Sequence, residues 1–92
     1  MIIKSEDLQL AIIGLGYVGL PLALEFAKKR KVTGFDINKN RIKQLNLGID
    51  KNLEFSKLEL QSSKQLNFTY SKDDIKTSTY YIVTVPTPID EF

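Results

Sequence analysis

Ninety-two residues and 10.5 kDa give room for one small core, too little for a catalytic domain beside a substrate domain. Apolar residues at 42 % and charged residues at 26 % mark a globular rather than a disordered chain, and 13 basic against 11 acidic residues leave a net charge of +2, no footprint for a polyanionic partner. With no Cys and no His, the chain holds no disulfide framework, thiolate nucleophile, Cys/His zinc site or Ser-His-Asp triad.

No apolar run approaches the ~20 residues of a membrane span, and Met1–Asp7 lacks a basic start followed by an apolar stretch. A cytoplasmic protein without a membrane partner is therefore expected. Leu8–Ile13 is apolar, ends in β-branched residues and stops at Gly14, the pattern of a buried strand. Tyr17–Lys29 has helical spacing: Val18, Leu22 and Phe26 lie four apart, and Leu20, Leu24 and Ala27 widen the stripe. Pro21 fits only near the start of that helix, where its missing N–H is harmless. Lys28-Lys29-Arg30-Lys31 closes it, since positive charge suits the carbonyl end.

Val32–Phe35 reads as a second short strand ending at Asp36. Asn38 is placed to cap a helix from about Lys39 to Leu47, with Ile42 and Leu45 inward and Gly48 as the stop. Ile49–Ser63 is either a short helix or a packed loop. Leu66–Tyr70 alternates as a third strand, Ser71–Ile75 reads as a cap with one or two helical turns, and Tyr80–Val85 is the strongest strand, ended by Pro86. The order β-α-β-α-β-(short α)-β predicts an α/β fold with a parallel sheet and right-handed crossovers, in the strand order 3-2-1-4. That is the first half of a doubly wound, Rossmann-type sheet of about six strands.

Gly14-Leu15-Gly16-Tyr17-Val18-Gly19 is G-x-G-x-x-G set between a strand and a helix. Gly14 permits the tight turn, Gly16 lets backbone approach a pyrophosphate, and Gly19 lets the helix pack close to the sheet. The helix start then offers the amides of Tyr17 and Val18 to the phosphates. Asp36 lies 20 residues past Gly16 at the end of the second strand, where a carboxylate accepts from an adenosine ribose and repels a 2′-phosphate. The pattern points to NAD rather than NADP. The plainer reading is a tight βα turn with Asp36 as a helix cap. Lys39 reads as part of a solvated helix face, Arg41 equally as part of that face or as a cofactor contact, and the Lys28–Lys31 run as a solvated helix end rather than a nucleic-acid patch, since no aromatic residues interleave with it. Val85-Pro86-Thr87-Pro88 follows the last strand, at the carboxyl edge where open parallel sheets bind ligands, which brings Thr87 within reach of a cofactor. A rigid loop without ligand contact is the alternative there.

These residues resemble the N-terminal part of the nucleotide-sugar dehydrogenases, which include the UDP-glucose and UDP-N-acetylhexosamine 6-dehydrogenases. The matching stretches are Ile12–Ala23 (I-I-G-L-G-Y-V-G-L-P-L-A), Gly34–Asn38 (G-F-D-I-N), Leu45–Asp50 (L-N-L-G-I-D) and Ile82–Pro88 (I-V-T-V-P-T-P). The G-L-P-L-A wording, Gly48–Glu54 and the V-P-T-P-I run look most like the bacterial UDP-N-acetylglucosamine and UDP-N-acetylgalactosamine dehydrogenases of surface-polysaccharide pathways. A UDP-N-acetylmannosamine or UDP-glucose enzyme stays open.

The resemblance implies a parent that oxidises C6 of a UDP-sugar from alcohol to acid with two NAD+. It implies that Gly14, Gly16 and Gly19 form the family's turn, that the backbone of Tyr17 and Val18 faces the pyrophosphate, that Asp36 takes the ribose and that Arg41 helps hold the adenosine side. Val85, Pro86 and Thr87 would pass the nicotinamide ribose. The family's cysteine nucleophile, its helpers and the UDP-binding domain lie beyond the matched region. Residues 1–92 are thus expected to be a cofactor-binding part without catalytic residues or metal, inactive alone, with the UDP-sugar bound only by the full-length parent. A competing expectation is a stand-alone half-Rossmann module that associates, as a homodimer, through the apolar edge of the last strand.

Overall fold

A computed structural model describes residues 8–51 and 55–84. Four strands, β1 (Leu10–Ile13), β2 (Val32–Phe35), β3 (Leu66–Thr69) and β4 (Tyr80–Val83), form one sheet in the order β3-β2-β1-β4. Every neighbouring pair is parallel. The helices are α1 (Gly19–Ala27), α2 (Lys39–Asn46) and α3 (Lys57–Ser62), and a 3-10 turn spans Lys72–Ile75.

The register explains the core. Leu10 pairs with Val32 and Val32 with Leu66, so one row of apolar side chains crosses three strands. On that face lie Leu20, Ala23, Leu24 and Ala27 of α1, Ile42 and Leu45 of α2, and Leu60 of α3, all buried. The next row runs Ile12, Gly34, Phe68. Gly34 leaves a gap there that Leu15 fills: a Cβ on Gly34 would stand 3.0 Å from Leu15 Cδ2. Leu15 is fully buried although it belongs to the turn after β1.

The elements differ from the expected bounds in instructive ways. β1 starts at Leu10 rather than Leu8, because the amide of Gln9 donates to Thr79 Oγ1 at 2.9 Å instead of entering the ladder. Helix α1 starts at Gly19 rather than Tyr17: Val18 is its N-cap, so Tyr17 and Val18 belong to the turn. Pro21 is then the third helical residue, still inside the first turn. Ile49–Ser63 contains a helix after all, α3, set by a capping box. Ser56 Oγ accepts from the Glu59 amide at 3.1 Å, and Glu59 Oε1 accepts from the Ser56 amide at 2.8 Å.

β4 is an edge of the four described strands, with Tyr80, Tyr81 and Val83 exposed. Val85, Pro86 and Thr87 lie outside the described residues. Among those described, no helix is long and apolar enough to cross a membrane.

Candidate functional site

The site begins where β1 turns into α1. Gly14 has φ +97°, a left-handed conformation that an L side chain rarely adopts, and a Cβ there would lie 2.1 Å from Thr84 O. The Gly14 amide donates to Phe35 O at 2.7 Å, extending the β1–β2 ladder one step into the turn. On the β4 side, the Thr84 hydroxyl sits 2.8 Å from Gly14 O and 3.1 Å from Ile13 O. Gly19 packs against the turn so tightly that a Cβ on it would meet Gly14 O at 1.6 Å. Gly14 and Gly19 are therefore held by protein on both sides.

Gly16 differs: a Cβ there meets nothing within 4 Å. The space above its backbone is open, and Tyr17 and Val18 beside it are 69 % and 58 % exposed. At a helix start the first N–H groups have no intrahelical acceptor. Among the described residues, the amides of Tyr17, Val18 and Gly19 donate to no other backbone carbonyl. No acidic side chain occupies the first turn of α1. The result is an open, locally positive shelf of donors, which suits an anion such as a pyrophosphate.

Asp36 stands at the end of β2, beside this shelf. Its Oδ2 accepts from the Leu15 amide and its Oδ1 from the Asn38 amide, each at 2.9 Å. Asn38 Oδ1 then caps α2 by accepting from the Arg41 amide at 3.1 Å. Each carboxylate oxygen retains a lone pair beyond these bonds. Asp36 is half-buried, so it is both fixed and reachable. The geometry supplies a fixed anionic acceptor next to the donor shelf, the pair of features that the adenosine half of an NAD molecule needs.

Arg41 does not stand in solvent as a free cation. It is 9 % exposed, and its Nε donates to Leu15 O at 2.8 Å while Nη1 donates to Asp50 Oδ1 at 2.8 Å. Asp50 is 3 % exposed, and its Oδ2 accepts from the Phe55 amide at 3.1 Å. The chain reaches this arrangement through a Schellman ending of α2. The Ile49 amide donates to Gln44 O at 2.8 Å and the Gly48 amide to Leu45 O at 3.0 Å. Gly48, at φ +82°, reverses the chain and returns Asp50 beneath Arg41. Nearby, Lys39 Nζ lies 5.4 Å from the centre of the Tyr70 ring.

The structure thus brings Gly14, Gly16, Tyr17, Val18, Gly19 and Asp36 to one edge of the sheet, with Arg41 behind them. Sequence reasoning missed Leu15, Thr84 and Asp50. The Thr84 signal, a hydroxyl ending an apolar strand, was weak; Asp50 carried none that spacing shows. Among the described residues, cavities of about 530 and 620 Å³ lie elsewhere. The first is walled by Pro21, Leu24, Phe55 and Glu59, the second by Gln9, Lys31, Thr33 and Asn67. Neither of these two borders the turn. Among the described residues, no three His, Cys, Asp or Glu side chains group to hold a metal.

Comparison with known proteins agrees with this geometry. Residues 8–92 match the NAD-binding domain of the UDP-glucose/GDP-mannose dehydrogenase family. The UDP-N-acetyl-D-glucosamine 6-dehydrogenase of Pseudomonas aeruginosa is 56 % identical over 86 residues, which are 94 % of this chain and 20 % of that protein. The enzyme of the same name from Salmonella typhi is 53 % identical over 87 residues, 95 % of this chain and 20 % of that one. Among solved structures, a GDP-mannose dehydrogenase from Pseudomonas aeruginosa superposes with a TM-score of 0.76 at 27 % identity, over 89 % of this chain and 20 % of that one. A UDP-D-ManNAc dehydrogenase from Pyrococcus horikoshii gives 0.74 at 35 % identity, over 90 % and 21 %. The chain spans about a fifth of the length of the relatives it matches. It belongs to the UDP-glucose/GDP-mannose dehydrogenase family, within the region of that family's NAD-binding domain.

Proposed function

We propose that the chain supplies the ADP-side half of the NAD+ site of a cytoplasmic nucleotide-sugar 6-dehydrogenase. The parent enzyme oxidises a UDP-N-acetylhexosamine, or UDP-glucose, at C6 to the uronic acid for surface-polysaccharide synthesis. The two relatives named as UDP-N-acetyl-D-glucosamine 6-dehydrogenases favour the acetylhexosamine. The observation that carries the reading is the open shelf over Gly16 with the fixed Asp36 carboxylate beside it. The amides of Tyr17 and Val18 donate to the pyrophosphate, Gly14 and Gly19 shape the turn, and Asp36 accepts from the adenosine ribose hydroxyls. Arg41 serves the adenosine side by supporting the turn from behind. Val85, Pro86 and Thr87 form the loop beside the nicotinamide ribose, a role that rests on their match to the family. Bound NAD+ would supply the hydride acceptor for oxidation of the sugar C6. UDP-sugar binding and the covalent chemistry belong to the parent beyond these residues, because this chain has no Cys to act as nucleophile.

The test is an NAD+ titration followed by backbone amide shifts, with NADP+ alongside. Saturable movement of residues 14–19 and 36, weaker with NADP+, supports the reading. No movement at millimolar NAD+ contradicts it.

Association through β4 is the second reading, favoured by the exposed Tyr80, Tyr81 and Val83 on an edge strand. A strict monomer in ultracentrifugation at high concentration removes it. Nucleic acid is not among the proposed partners.

A further inference from the structure

We infer that Asp50 is a positioning residue for the pyrophosphate turn, acting through Arg41 on the carbonyl of Leu15. The inference rests on the cofactor reading above for its purpose, but not for its geometry. Arg41 and Asp50 are the buried charged residues among those described. A buried ion pair recovers its desolvation cost only with good geometry and further hydrogen bonds, and apolar replacements of similar volume often serve stability as well or better. Stability alone is therefore a poor account of this pair. What the pair does locally is specific.

Leu15 is held at three points. Its amide donates to Asp36, its carbonyl accepts from Arg41 Nε, and its side chain fills the gap over Gly34. The next residue, Gly16, is the open one. The direction of the Leu15 carbonyl sets the plane of the Leu15–Gly16 peptide, and with it the direction of the Gly16 amide at the mouth of the turn. Arg41 fixes that plane, and Asp50 fixes Arg41. The guanidinium has few other holds: Nη2 is buried with no hydrogen-bond partner among the described residues. If Asp50 loses its charge, the buried cation is left with neutral acceptors alone, and its desolvation favours swinging out to water and releasing the Leu15 carbonyl. Asp50 is itself placed by the Gly48 reversal and the Phe55 amide, so these two residues also support the turn.

The experiment compares the wild-type protein with D50N and with the double variant R41M/D50L, which replaces the charges by apolar side chains. Amide hydrogen exchange is read at residues 15–18 and, as an internal reference, in β1 and β2. NAD+ affinity is read by calorimetry. Both variants are expected to speed exchange in the turn, with the strands unaltered, and to weaken NAD+ binding roughly tenfold, the size that outer-shell partners carry at other sites. The double variant separates positioning from stability: it is expected to fold well and still bind poorly.

A folded double variant whose turn exchanges within about twofold of wild type overturns the inference. Loss of the fold in both variants also overturns it, since the pair would then be structural. If the turn loosens but the wild type binds no NAD+, the positioning stands and the cofactor reading falls. If the wild type binds NAD+ and the turn stays tight in the variants, the reverse holds.

Discussion

The Leu15 amide donates to Asp36 Oδ2 at 2.9 Å across 21 residues of sequence. The carboxylate assigned to the ribose thus also holds the turn assigned to the pyrophosphate. This bond ties together the two halves of the proposed ADP site, and preorganisation of that kind lowers the ordering cost of binding. It also means that a change at Asp36 acts twice.

Asp36→Asn keeps one acceptor for the Leu15 amide but removes the charge. Hydrogen bonds to a charged group contribute about 1.5–3 kcal/mol, so NAD+ affinity should fall by roughly tenfold or more. Repulsion of a 2′-phosphate disappears as well. Calorimetric titrations with NAD+ and NADP+ should show the preference for NAD+ shrinking. An unaltered ratio would mean that discrimination lies elsewhere.

The three glycines of the turn should separate stability from binding. A methyl on Gly16 meets nothing within 4 Å, so Gly16→Ala should leave the melting temperature unchanged while intruding on the pyrophosphate. A methyl on Gly19 meets Gly14 O at 1.6 Å, and Gly19→Ala should destabilise the fold by about 1–3 kcal/mol or more. Thermal melts beside NAD+ titrations test both. A Gly16→Ala protein that binds like wild type would argue against a phosphate on that shelf.

How far the sequence reveals all this depends on the kind of contact. The sheet order follows from apolar runs such as Leu10–Ile13 and Tyr80–Val83 alternating with helical spacing, and that pattern survives in the structure. Gly14, Gly16, Gly19 and Asp36 are legible because one motif needs all four at fixed distances. The start of α1 is misread at Tyr17 because an apolar side chain continues the stripe whether it faces the core or solvent, and Val18 is 58 % exposed. Helix α3 is only six residues long, too short for periodicity, although Ser56 and Glu59 bear its capping signature. Asp50 is the least legible. Its bond to Arg41 exists only because Gly48 takes φ +82° and turns the chain back, a long-range consequence of one backbone angle.

Thr84 should matter more than its place at the end of a strand suggests. Its hydroxyl lies 2.8 Å from Gly14 O and joins the β4 end to the glycine turn after β1. Thr84→Val removes that donor and keeps the shape, at a cost of about 1 kcal/mol. Thr84→Ser retains the hydroxyl and should lose less. Denaturant titrations of the two variants decide it; a serine variant that loses more than the valine variant would assign the effect to the methyl group and its packing instead.

Arg41→Ala should be the most damaging single change at the site. It takes the cation away from the Asp50 carboxylate, whose side chain is 0 % exposed. Breaking a buried pair from one side costs about 3–5 kcal/mol, a large share of the roughly 5–15 kcal/mol that holds a small domain together. Arg41→Lys is no rescue, because an ammonium does not present Nε and Nη1 in the fixed fork that spans Leu15 O and Asp50 Oδ1. Chemical denaturation should therefore place the two variants close together and well below wild type. A lysine variant as stable as wild type would show that charge alone matters here and that the bond to Leu15 is incidental.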